Sequence, residues 1–114
     1  MKNRYYFGLW AERVAMVFLR LKGYHILEWR FKSHFGEIDI IAKKSRIIVA
    51  VEVKARRSKI LIEEVLTPNQ VNRIKNSVNF YISKNKKYQN YNLRLDFIAF
   101  NKFLVPKHYC NIIG

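Results

Sequence analysis

Apolar positions recur with helical spacing over residues 8–22. There Ala11, Val14, Ala15, Phe18 and Leu21 or Lys22 trace one stripe, which stops at Gly23. The period then falls to two. Tyr24–Arg30 alternates as a short strand, and two Val/Ile-rich runs follow, residues 36–42 and 47–54. Between them, Lys43-Lys44-Ser45-Arg46 is a polar stretch of the length of a common hairpin loop. Residues 56–66 form a connection of no definite type. Thr67-Pro68 opens a second helix with an N-cap and a first-turn proline. Val71, Ile74, Val78 and Ile82 give that helix its buried face, and Asn85-Lys86-Lys87 ends it. Leu93–Phe100 reads as a strand that turns at Asn101-Lys102 and pairs with Phe103–Val105. The order helix, three strands, helix, two strands predicts an α/β fold in one domain, residues 1–114, without repeats or low-complexity tracts.

The two Val/Ile-rich runs contain acids where a buried strand should have none. Gly36-Glu37-Ile38-Asp39-Ile40-Ile41-Ala42 and Ile48-Val49-Ala50-Val51-Glu52-Val53-Lys54 carry three acids and a lysine. An unpartnered carboxylate is costly to bury, so an acid kept in such a strand has a cation to bind or chemistry to perform. Side chains alternate along a strand, which puts Glu37 and Asp39 on one face and Glu52 and Lys54 on one face. If the four-residue loop pairs Ala42 with Ile47, then Asp39 opposes Ala50 and Glu37 opposes Glu52. Asp39 and Glu52 become diagonal neighbours, roughly 7 Å apart at their Cβ atoms. Two carboxylates so placed can converge on one divalent cation, since Mg²⁺ takes one or two carboxylates and completes its shell with water and phosphate oxygens. A register slip of one residue would send Glu52 to the other face.

Composition adds a partner class. Among 114 residues, 22 Lys and Arg stand against 8 Asp and Glu, a formal charge of +14. Such a charge attracts polyanions, nucleic acid before anionic membrane. The 15% aromatic share argues against disorder. Cys110 is the only cysteine, so no disulfide framework exists. The apolar stretch Phe7–Leu21 is interrupted by Glu12, Arg13 and Arg20, too short to span a bilayer and unlike a signal peptide. The expectation is a cytoplasmic protein with no membrane partner.

Ala11-Glu12 with Ala15 and Leu19, Gly23-Tyr24-His25-Ile26-Leu27, the Gly-Glu-Ile-Asp run, Val51-Glu52-Val53-Lys54-Ala55-Arg56 and Arg94-Leu95-Asp96-Phe97-Ile98 together resemble the bacterial YraN family. That family is similar to archaeal Holliday junction resolvases of the PD-(D/E)xK nuclease superfamily, with Ile38 where the superfamily name has proline. The resemblance implies a restriction-endonuclease-like αβββαβ core with a central mixed sheet. It also implies a Mg²⁺- or Mn²⁺-dependent endonuclease acting on branched or otherwise structured DNA. Asp39 and Glu52 would be metal ligands with the Val53 carbonyl a third, and Lys54 would orient or help deprotonate the attacking water.

Other residues carry two readings each. Glu12 would approach the metal from the first helix, or face solvent. Glu37 would stand behind the ligands, or pair with an arginine. Gln70 would reach the active site, or close a capping box on Thr67. Arg56 and Arg57 would contact phosphates, or form a solvated face. Arg94 and Asp96 form a structural pair, and His25, His34 and His108 lack metal-ligand spacing. The expected partner is DNA, with a homodimer left open. The alternative function is a nucleic-acid-binding protein of the same fold with weak or no catalysis.

Overall fold

The structure, a computed structural model, describes residues 2–55, 66–101, 103 and 105–112. Helix α1 spans Lys2–Leu21 and so begins before residue 8, because the hydrophobic period marks only the part of a helix that is buried. Its covered face is Ala11, Glu12, Ala15, Met16 and Leu19, with Val14 and Phe18 at the margin and Leu21 out in solvent. Gly23 ends the helix in a left-handed conformation, φ +92°, which costs glycine little. Strands β1 (His25–Ser33), β2 (Gly36–Lys44) and β3 (Ile47–Ala55) follow. The connection 56–65, with Arg56 and Arg57, lies outside the described residues.

Helix α2 spans Pro68–Lys84 from the predicted Thr67 cap. It is the crossover that makes β3 and β4 (Asn92–Phe100) parallel. All other neighbours are antiparallel, in the order β1-β2-β3-β4-β5. The fold is therefore a mixed α/β sheet of five strands with one helix on each face. Ala11, Ala15 and Leu19 of α1 pack with Ile40, Val49, Val51 and Ile98, and Ile74 and Val78 of α2 pack with Ile38, Ile41, Ile48 and Leu95. Among the described residues, no helix is long and apolar enough to cross a membrane.

Three strand boundaries differ from the sequence reading. The β2–β3 turn is only Ser45-Arg46, with Lys44 paired to Ile47 and Ser45 at φ +53°. Ser-Arg is not among the dipeptides that announce a two-residue turn, so the four polar residues read as loop. The true register is displaced by two residues, with Ile41 opposite Ala50, and an even displacement leaves every face unchanged. Strand β1 runs on to Ser33, beyond Arg30, which adopts φ +56°. The last strand, β5, is Pro106–Tyr109 rather than Phe103–Val105. Asn101 Oδ1 accepts from the Phe103 and Val105 amides, and that side-chain cap folds the apparently alternating segment into a turn.

β5 is fastened to β4 by a second buried acid. Asp96 is fully buried, and its oxygens accept from Arg94 Nε and Nη2 at 2.8 Å each, His108 Nε2 at 2.8 Å and the Asn111 amide at 2.8 Å. Lys22 Nζ lies 2.6 Å from His108 Nδ1. Lysine has only donors, so Nδ1 accepts while Nε2 donates to Asp96. The expected Arg94–Asp96 pair thus extends to a network that includes α1 and β5. Burial alone would raise the Asp96 pKa, but the bonds from His108, Arg94 and Asn111 overcome it and lower it from 3.8 to about 2.

A carboxylate held below its ordinary value stabilises the fold above that ordinary value and loses its contribution as pH falls through the folded one. At ~1.4 kcal/mol for each pH unit between the two values, Asp96 carries about 2 kcal/mol. Urea titrations of the wild type should show that amount lost between about pH 4 and pH 2, and Asp96→Asn should lose correspondingly less over the same window. Identical pH slopes for the two proteins would show that the network contributes nothing.

Candidate active site

The site forms where β2 and β3 part. Ile38 packs toward α2 while Ile40 packs toward α1, and across from them Phe31 and Trp29 divide the same way. Both strands therefore change face around Arg30 and Asp39. Arg30 takes the left-handed backbone that this reversal needs, a conformation with a steric cost for a residue bearing a Cβ. The β2–β3 pairing ends at Ile40–Val51. The next amide on that edge, Val53 N–H, donates to Asp39 Oδ2 at 2.8 Å, so a side chain takes the place of a ladder carbonyl. In an extended strand the N–H and C=O of one residue face the same neighbour, which turns the Val53 carbonyl toward β2 as well.

Continued by one step, the register places Asp39 opposite Glu52 and not diagonal to it, a direct pair that the two-residue turn creates. The two carboxyl groups lie close enough for each to act on the other's titration. Glu52 Oε1 is buried without any partner. Burial raises the Asp39 pKa and the Glu12 charge adds to that, against the Val53 amide, the bond with Glu52 and the Lys54 charge. Glu52 is raised well above the carboxylate range, first by burial, then by the charge of Asp39 and the bond to it, with Lys54 and the Asp39 amide opposing.

A cavity of about 230 Å³ opens beside this pair, lined by Gly36, Glu37, Glu52, Lys54, Leu66, Gln70, Arg73 and Ile74. It is smaller than a cofactor pocket and has room for a hydrated ion with a phosphate group. Glu52 and Lys54 face it from β3, whereas Asp39 is not part of the wall and meets the cavity only through Glu52. The sequence reading placed Glu37 opposite Glu52. The same displacement of register instead carries it toward Lys54, and it pairs at the surface with Lys32, 3.5 Å away.

Glu12 is neither solvent-facing nor turned onto the pair. It is 7% exposed and accepts from Trp29 Nε1 at 2.8 Å, Arg30 Nε at 2.9 Å and Arg30 Nη2 at 3.1 Å. It stands near enough to act on Asp39 by charge, while its bidentate partner Arg30 occupies the residue at which the sheet changes face. Among the described residues, no third acid, histidine or cysteine completes a three-ligand cluster with Asp39 and Glu52. Gln70 closes the capping box, Oε1 accepting from Thr67 N at 3.1 Å and its own amide donating to Thr67 Oγ1 at 3.3 Å, yet it also lines the cavity. Arg73 escaped the sequence reading. Its signal was its position next to the buried Ile74 and three residues beyond Gln70, the spacing that puts two side chains on one helix face.

Asp96, His108 and Cys110 do lie close enough to surround an ion, with their ligand atoms within 4.8 Å. Both Asp96 oxygens are already saturated by donors, and the cations Arg94 and Lys22 flank the group. That arrangement holds the β5 strand and repels a metal ion.

A mixed α/β sheet with a half-buried carboxyl pair and a lysine beside a cavity of mixed charge is thus the class that the fold and site define. The chain belongs to the uncharacterised protein family UPF0102, whose family model matches residues 11–100. A UPF0102 protein of Bartonella tribocorum is 38% identical over 107 residues, 94% of this chain and 82% of the relative. One from Campylobacter hominis is 42% identical over 100 residues, 88% of each chain. One from Nitrobacter winogradskyi is 37% identical over 101 residues, 89% of this chain and 86% of the relative.

Two outcomes follow from these contacts. A raised Glu52 pKa means that the folded state binds a proton the unfolded chain releases above about pH 4.5, so stability falls as pH climbs from there. Glu52→Gln removes this cost, and it should melt higher than wild type at pH 8 with the difference shrinking toward pH 4. An unchanged or lower melting temperature at pH 8 would contradict a Glu52 carboxyl raised by burial and by Asp39. Gln70→Ala should destabilise by about 0.5–2 kcal/mol through loss of the capping box, measurable by denaturant titration. A variant as stable as wild type would mean that the box carries no energy.

Proposed function

We propose that this protein is a divalent-cation-dependent DNA endonuclease built on a restriction-endonuclease-like αβββαβ core, of the kind its resemblance to Holliday junction resolvases implies. The observation that carries the reading is the unpartnered, buried Glu52 Oε1 beside Asp39, with Lys54 on the same face of the same strand. A binding module needs no such group. A buried oxygen left without a donor costs on the order of 1–3 kcal/mol, and a cation is the partner that relieves it. The donor set suits Mg²⁺ or Mn²⁺, being oxygen throughout: Asp39, Glu52 and the Val53 carbonyl. The element order, a helix, three antiparallel strands, a crossover helix and a parallel fourth strand, agrees with the nuclease core.

A bound cation would supply Lewis acidity and an activated water. The protein's own groups do the rest. Asp39 and Glu52, both ionised, would hold the cation, which makes cation affinity rise with pH. Lys54 orients the water and offsets charge as the water oxygen bonds to phosphorus and its proton passes to solvent. The bond from phosphorus to the leaving sugar oxygen breaks, and that oxygen collects a proton from solvent. Arg73, across the cavity, faces the phosphate. Glu12 contributes by position, since its hold on Arg30 maintains the reversal that sets Asp39 beside Val53. The surrounding +14 charge draws in the DNA.

The second reading, nucleic-acid binding with weak or no catalysis, draws on Glu12 and Gln70, whose oxygens are engaged by Arg30 and the Thr67 cap. Cleavage assays on a panel of labelled linear, flapped and four-way DNA with Mn²⁺ or EDTA separate the two. Asp39→Asn and Glu52→Gln should each lower metal-dependent cleavage by about a hundredfold or more while DNA binding in EDTA stays intact. Mg²⁺ or Mn²⁺ should raise the melting temperature of wild type and of neither variant. Nicking by both variants at the wild-type rate would remove the assignment, and binding without cleavage by wild type would select the second reading.

A further inference from the structure

The β1–β2 hairpin tip lies against α2 beside the cavity. Ser33 Oγ is 3.0 Å from Ser77 Oγ, Ser77 Oγ also reaches the Gly36 carbonyl at 3.4 Å, and Gly36 lies so close to Arg73 that an added Cβ would stand 3.6 Å from that of the arginine. These contacts fasten the tip. What they hold up is aromatic. His34 and Phe35 lie in contact, ring centroids 4.0 Å apart and planes tilted by 37°, and rest on Phe80 of α2 at 5.7 and 6.2 Å. Phe35 remains 37% exposed, and His34 is exposed too.

Cations bracket this pair along one stripe of α2: Arg73, Ser77, Phe80 and Lys84 recur at helical spacing, with Lys84 Nζ 5.4 Å from the Phe80 ring. Arg73 marks the cavity end. Phe80 stands seven residues further along, about 10 Å by the helical rise, so a strand with a phosphate at Arg73 reaches the aromatic pair within a few nucleotides. Rings presented to solvent between cations fit a base and its phosphates, since every base has a π-face and stacking tolerates any sequence. A duplex cannot use such rings, because its bases are already stacked on each other.

We propose that His34 and Phe35 form a stacking platform for an unpaired DNA base, so that the carboxyl site acts on DNA with unpaired nucleotides beside the cut. The platform rests on the nuclease reading for its role in cleavage, but not for binding, and the two can fail separately. Phe35 also packs the hairpin against Phe80, and the test must distinguish that packing from stacking.

The full chain is titrated in EDTA, where no cleavage occurs, with a short fluorescein-labelled oligothymidine and with a duplex of equal length, read by fluorescence anisotropy. Phe35→Leu keeps an apolar contact with Phe80 and removes the flat ring. It should melt close to wild type, weaken oligothymidine binding by about five- to a hundredfold, and leave duplex binding unchanged. Phe35→Trp should restore oligothymidine binding, with the new indole quenched on addition of the strand. Oligothymidine binding by Phe35→Leu equal to that of wild type, or equal losses on single strand and duplex, would overturn the platform. Wild-type cleavage in Mn²⁺ that Phe35→Leu retains on every substrate would leave the nuclease and remove the platform. Single-strand binding that depends on Phe35, in a wild type that cuts nothing, would leave the platform and remove the nuclease.

Discussion

The hydrogen bond from the Val53 amide to the Asp39 carboxylate, 2.8 Å long, is the contact on which the site's geometry rests. It occupies the place in the β2–β3 ladder where a backbone carbonyl would stand, so the two strands separate without leaving a buried amide unpaired. Bonds to a charged acceptor are worth about 1.5–3 kcal/mol, enough to offset much of the cost of holding one carboxylate between two hydrophobic layers. The opening exists only because β1 and β2 change face at Arg30 and Asp39, and Arg30 in turn is held in its left-handed backbone by a guanidinium locked on Glu12. Helix α1, the sheet reversal and the carboxyl pair are therefore one mechanical unit. A substitution at Glu12 would be felt at Asp39 through backbone geometry and not through any direct ligation.

The two buried acids of this sheet make a natural contrast. Asp96 and the Asp39–Glu52 pair lie in the same hydrophobic sheet and burial pushes all three upward, yet one pKa falls and the others rise. The difference is the number of donors. Asp96 receives a guanidinium, an imidazole and an amide, which complete its lone pairs and leave nothing to gain from a ligand. Asp39 receives one backbone amide, and Glu52 has a buried oxygen with no partner. Both arrangements look alike in sequence, an acid in an apolar strand. Only satisfaction of hydrogen bonds tells the structural acid from the one that still lacks a partner.

Much of this was legible in the chain. The period of apolar residues located both helices and four of the five strands, because burial imposes it directly. The faces survived an error in the hairpin, since a displacement of two residues preserves parity and still gathers Asp39, Glu52 and Lys54 at one place. What the pattern could not reveal were contacts made by side chains with the backbone. Asn101 folding the segment before β5 and Asp39 standing in for a ladder carbonyl both replace main-chain partners, and neither alters the alternation of polar and apolar residues. The reversal at Arg30 was hidden for a related reason, because arginine is a poor advertisement for positive φ.

The same reasoning explains why Arg73 and the hairpin tip went unread. Each owes its place to long-range packing of α2 on β1 and β2, where Ser33, Gly36 and Ser77 meet at separations of more than forty residues between strand and helix. A glycine at φ +141° and two serines carry no chemistry in a sequence. Assembled, they bring an arginine to the wall of the carboxyl cavity and hold two exposed rings beside it. The carboxyl cavity, the arginine on its wall and the rings beyond it then follow one another along α2.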